Sequence, residues 1–82
     1  MPLLAFDGRV CKLEYLGGVV LIDIAKRTVN SFKVKVNTEE LDNVVRFEIP
    51  EWDVTGVVDE YSLKLYRFGK LTSELKVRDG ES

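Results

Sequence analysis

The sequence predicts an all-β protein, a small antiparallel sandwich or partly open barrel of about six strands, with at most one short helical turn near residues 38–43. Two observations predict it. Apolar and polar side chains alternate with period two in several short runs, which a helix would scatter around its circumference. Glycine-containing turns then separate those runs at hairpin spacing. With 82 residues there is room for a single domain, expected to span 1–82.

The first hairpin is expected at Gly17-Gly18, because two glycines accept the positive φ angles of a two-residue type I′ turn. That turn pairs Leu16 with Val19, Tyr15 with Val20, Leu13 with Ile22 and Cys11 with Ile24. Cys11, Leu13, Tyr15, Val20, Ile22 and Ile24 then share the core face, and Lys12 meets Asp23 on the other. Residues 26–30 read as a loop. The third strand, over residues 31–37, sets Phe32, Val34 and Val36 inward against Ile24, Ile22 and Val20. It also extends a Lys12–Asp23–Lys33 charge ladder outside.

Asn37-Thr38-Glu39-Glu40 has the composition of a helix start, with a capping residue ahead of acids. Val45, Phe47 and Ile49 alternate with Arg46 and Glu48 in a fourth strand, which Pro50 ends because it lacks a ladder N–H. Residues 51–58 read as a connection. The last hairpin turns at Arg67-Phe68-Gly69, pairing Tyr61 with Leu75, Leu63 with Ser73, Leu65 with Leu71 and Glu60 with Lys76. Residues 79–82 are expected to fray.

Composition narrows the function classes. Hydrophobic content of 45% and charged content of 32% suit a folded domain. No apolar run reaches bilayer-spanning length, and the first residues lack the basic region of a signal peptide. A single cysteine permits no internal disulfide. The expectation is therefore a cytoplasmic protein with no membrane partner. Few thermolabile residues and many charges match thermophile usage. The net charge of −2 conceals a pattern: residues 37–60 carry −7, between basic segments 9–36 and 61–78 at +4 each.

No catalytic residue, metal ligand or cofactor is assigned. The chain has no histidine, and Cys11 falls on a core face. Glu51, Asp53, Asp59 and Glu60 are the acids best grouped for a divalent cation, but without EF-hand spacing; solvation is their ordinary role. The leading expectation is a non-enzymatic protein-interaction or structural module, self-association included. Leu16, Val19 and Leu21 point away from the core in the expected register, and Trp52 lies in an acidic connection as a candidate anchor. The alternative is a single-stranded nucleic-acid-binding domain. It would use Lys64, Tyr66, Phe68 and Lys70 on the basic, aromatic face of the last hairpin, where Lys76 and Arg78 also fall.

Overall fold

A computed structural model describes residues 1–77, which form nine strands in two antiparallel sheets. The first sheet runs β1 (Leu3–Phe6), β2 (Val10–Tyr15), β3 (Gly18–Asp23), β4 (Thr28–Phe32). The second runs β5 (Asn37–Leu41), β6 (Val44–Ile49), β7 (Val54–Val58), β8 (Ser62–Arg67), β9 (Lys70–Lys76). Each strand pairs with its neighbour in sequence, so both sheets are meanders and the chain crosses between them through residues 33–36. Neither sheet closes on itself, and the fold is an open sandwich rather than a barrel. Arg78 and the fraying expected at 79–82 lie outside the described residues.

The core forms where alternation aims apolar side chains at the facing sheet. Cys11, Leu13, Val20 and Ile22 come from the first sheet and Ile24 from the turn that follows it; Val45, Phe47, Ile49, Val54, Val58, Leu63 and Leu65 come from the second. Pro50 ends β6 and opens a 3-10 turn, Pro50–Trp52, that folds Trp52 into this core. Two close approaches fix the packing. A Cβ on Gly18 would stand 2.9 Å from the Val34 Cβ and 3.1 Å from Trp52 Cζ2. A Cβ on Gly56 would sit 2.2 Å from the Phe47 ring.

The Gly18 contact explains why the first turn differs from expectation. Gly18 is needed for packing, so it joins β3 opposite Tyr15, and the turn is made by Leu16 (φ 50°) and Gly17 (φ 82°). Cys11 now pairs with Ile22 and Leu13 with Val20. The slip is two residues, so every side chain keeps its face. The Lys12–Asp23–Lys33 ladder is absent: Lys12 lies opposite Leu21, and Asp23 takes both Arg9 Nε (3.1 Å) and Arg9 Nη2 (3.0 Å).

The third strand differs more. It starts at Thr28 and ends at Phe32, opposite Val19, an odd displacement that turns Phe32 outward and Val29 inward. Residues 33–36 must bridge the sheets, and Val34 and Val36 reach the core from that crossover instead of from a strand. Residues 37–41 form edge strand β5 rather than a helical turn, because Asp42 (φ 54°) and Asn43 (φ 64°) supply a second two-residue turn directly after it. Residues 54–58, read as connection, form β7 at the centre of the second sheet.

In the last hairpin Phe68 (φ 52°) and Gly69 (φ 77°) make a two-residue turn between Arg67 and Lys70. Leu63 pairs with Leu75 and Leu65 with Ser73. An irregularity between Leu65 and Tyr66 leaves Thr72 without a partner residue, and its hydroxyl donates to the Leu65 carbonyl at 3.1 Å. That bulge turns Leu71 out, opposite Tyr66, where the sequence had set it inward against Leu65. Tyr61 precedes β8, exposed, and Lys76 lies opposite Ser62 instead of Glu60.

Two outcomes follow from this packing. Gly56→Ala should destabilise the protein by about 1–3 kcal/mol in urea unfolding, since Phe47 must leave its rotamer to admit the methyl. The Asp59 carboxylate accepts the Ser62 hydroxyl at 2.7 Å and the Ser62 and Tyr61 N–H groups at 3.1 and 3.3 Å, which holds it below its ordinary value of 3.8. A depressed carboxylate contributes stability that is complete above its unfolded pKa and is lost as pH falls through the folded one. Thermal unfolding followed downward from about pH 5 should therefore show a shallower acid limb for Asp59→Asn than for the wild type.

Candidate functional site

Registers across the first sheet place two rows of side chains on its outer face. One row reads Leu3, Glu14, Val19, Phe32, and the next Ala5, Lys12, Leu21, Asn30. Isolated exposed apolar residues are ordinary on a protein surface. Here they adjoin: Val19 and Phe32 are cross-strand partners, and Leu21 lies two residues along β3 on the same face. Leu3 is 72% exposed, Phe32 62% and Leu21 40%. The N-terminal strand does not cover the patch, because it extends the same sheet beside β2. Within the patch Lys12 and Glu14 pair at 3.7 Å, and the Lys33 ammonium stands 5.5 Å from the Phe32 ring centroid.

Val19 and Leu21 therefore occupy the outer face that the sequence assigned them. Leu16 lies beyond it, at the tip of the β2–β3 turn. Trp52 is not a surface anchor. It is 1% exposed, meets the Tyr15 ring edge-on at 5.8 Å, and its carbonyl accepts a 3.2 Å hydrogen bond from Arg67 Nε. Sequence reasoning missed Leu3 and Phe32 as surface residues. The signal for Phe32 was the polar run Lys26-Arg27-Thr28: a turn closing at Arg27 starts the alternation at Thr28 and puts Phe32 outside.

The nucleic-acid candidates divide between two places. Lys64 and Tyr66 lie on the outer face of the second sheet, opposite Glu74 and Leu71 on β9 and Val57 and Thr55 on β7. Short Thr55 and Val57 side chains on the central strand, with Arg46, Glu48 and Tyr66 on its neighbours, leave an open groove of about 470 Å³ there. Phe68 lies in the turn at the end of that hairpin, and Lys70 opens β9 directly after it. Glu39, Glu48 and Glu74 share the outer face with Lys64, so it is mixed in charge rather than basic.

The remaining chemistry is sparse. Cys11 is buried between Phe6 and Ile22, and burial pushes its thiol up to about 11, which keeps it protonated and unreactive. Glu51 and Asp53 stand at one end of β7 and Asp59 and Glu60 at the other, roughly 17 Å away along a strand of five residues. Among the described residues no three acidic, cysteine or histidine side chains gather as a cation site, and no helix is long and apolar enough to cross a membrane.

One further surface carries backbone strain. Leu16 and Phe68 hold the first position of two-residue turns with positive φ, and they are 79% and 73% exposed. The turns lie at the same end of the sandwich, since the Arg67 guanidinium stands 5.8 Å from the Tyr15 ring and 5.3 Å from the Phe68 ring. The β5–β6 turn meets the same backbone demand with Asp42 and Asn43, which tolerate it. In comparisons with known proteins, no family model, no curated relative and no solved structure matches this chain.

The contrast among the three turns sets an expectation for stability. Leu16→Asn should stabilise the protein by roughly 0.5–1 kcal/mol, because it relieves a left-handed backbone and removes little packing. Phe68→Asn should gain less, since Arg67 loses its ring contact. Thermal unfolding of both variants beside Asn43→Leu, which should destabilise, checks the ordering.

Proposed function

We propose that the protein is a non-enzymatic interaction module, working in the cytoplasm, that binds protein through the outer face of its first sheet. The observation that carries this reading is the adjacency of half-buried Val19 with exposed Leu21 and Phe32, apolar residues on the outer face of regular strands, with no strand of the described residues laid over them. Strands hold such residues in fixed geometry, so little side-chain order is lost on binding. The absence of histidine and the buried, protonated Cys11 fit a non-catalytic role. Single-stranded nucleic-acid binding through Lys64, Tyr66, Phe68 and Lys70 has thinner support, because the acids interleaved on that face repel phosphate.

Site-specific photo-crosslinking in the native host tests the reading. A benzophenone side chain at Leu21 should capture a protein, and the same group at Thr55, on the outer face of the second sheet, should not. Equal capture at both positions, or none at Leu21, would overturn it. Phe32→Ser should leave stability within about 0.5 kcal/mol of wild type, as suits a residue outside the core.

A further inference from the structure

The outer face of the first sheet has a charge pattern that selects its partner. Rows Leu3–Glu14–Val19–Phe32 and Ala5–Lys12–Leu21–Asn30 lie side by side, with strand order β1, β2, β3, β4 running through both. The apolar residues flank one opposite-charge pair, Lys12 and Glu14, on the inner strand β2. A partner covering Val19 and Leu21 must also cover that pair or leave two charges half-buried against its own surface, which is costly unless each finds a counter-charge.

We propose that the partner is a second copy of this chain, packed face to face about a two-fold axis that lies in the interface, crosses the strands, and passes between Lys12 and Glu14. The inference rests on the reading that this face binds protein, and names its occupant. Rotation about that axis keeps each strand over its own counterpart and exchanges the two rows. Glu14 of each copy then meets Lys12 of the other, Val19 meets Leu21, and Leu3 meets Ala5. Phe32 over Asn30 is the single mixed contact. An axis running along the strands fails the same test, because it lays Glu14 over Val19 and Lys12 over Leu21 and buries charge against apolar surface. The geometry also suits the packing of β-sheets, whose strands stay close to aligned when they stack face to face about 10 Å apart.

The size of the face bounds the strength. Four strands averaging about five residues cover roughly 19 by 17 Å, about 320 Å² per copy, which is below the range of stable specific interfaces and sets the association as a weak one. A dimer with a dissociation constant of about 10–100 μM is expected, and the two Lys12–Glu14 contacts then decide orientation as much as affinity. The opposite charges are partners within each chain at 3.7 Å with both side chains half exposed, so exchanging them across the axis gives up little.

Charge exchange gives a direct test by sedimentation equilibrium of the full chain. Wild type should self-associate, whereas Lys12→Glu alone and Glu14→Lys alone should each weaken self-association by about tenfold or more, since like charges face each other across the axis. Mixing the two single variants should restore a one-to-one dimer, because one copy offers acids at both positions and the other bases. The double variant carrying both exchanges should return to within about threefold of wild type. Circular dichroism of each variant confirms the fold, and these exposed positions should leave it intact. A wild type that stays monomeric up to about 1 mM overturns the inference, as does a wild-type dimer indifferent to the single exchanges. Neither result touches the crosslinking expected at Leu21: an adduct to a different protein would leave the interaction face standing and remove only the two-fold partner.

Discussion

The joint between Trp52 and Gly18 governs how the two sheets meet. A proline-initiated turn swings the indole under the first hairpin, where the missing side chain of Gly18 leaves room for it and for Val34. Tyr15 meets the same indole from the first sheet, and Arg67 from β8 holds its carbonyl while lying over Tyr15. One buried residue thereby ties together β2, β3 and β8. Burying a side chain that size is worth several kcal/mol, a large share of the stability available to a domain this small. With the sandwich closed at that end, the outer face of the first sheet is carried by strands whose inner face is committed to the core.

Alternation was legible in β2, β3 and β6, but not in β7, where Gly56 interrupts the apolar pattern of the central strand. Val45, Phe47 and Ile49 point inward, as do Cys11, Leu13, Val20 and Ile22, because the pleat allows an apolar stripe one buried side. Register was less legible than facing. The Gly17-Gly18 pair offers two placements of a two-residue turn, which differ by a shift that preserves every face, and only the contact of Gly18 with Trp52, thirty-odd residues away, decides between them. Phe32 was read on the wrong side for a related reason. Phe32, Val34 and Val36 alternate as a strand does, but the chain must cross between sheets there, and crossing is a demand of topology that no local pattern records. The exposed patch was half legible: Val19 and Leu21 followed from facing, while Phe32 and Leu3 depended on where the edge strands fall.

Trp52 marks the limit of reading function from composition. An aromatic after a proline in an acidic stretch has the look of a binding anchor, yet the proline is what directs it inward. The acids around it, Glu51 and Asp53, stay outside because a 3-10 turn of three residues can bury only one of its side chains. The turn tips show the converse. Leu16 and Phe68 occupy positions where the backbone favours small polar residues, and both remain largely in solvent. Local strain and solvent exposure there run against stability together, and neither residue is needed for the core.

The single passage between sheets has a consequence for how the chain assembles. All seven pairings join strands adjacent in sequence, so each hairpin can close over a short loop before any distant contact exists. Most β-sandwiches interleave their sheets and fold slowly because remote segments must find one another first. Here the first meander can form while the second is still being synthesised. The late step is then the collapse of two half-built ribbons onto each other around the indole, a search in one dimension of relative slide rather than through chain topology. Low contact order of this kind favours rapid folding for an all-β protein, and it shortens the time during which the apolar inner faces of the two meanders stand exposed before they close on each other.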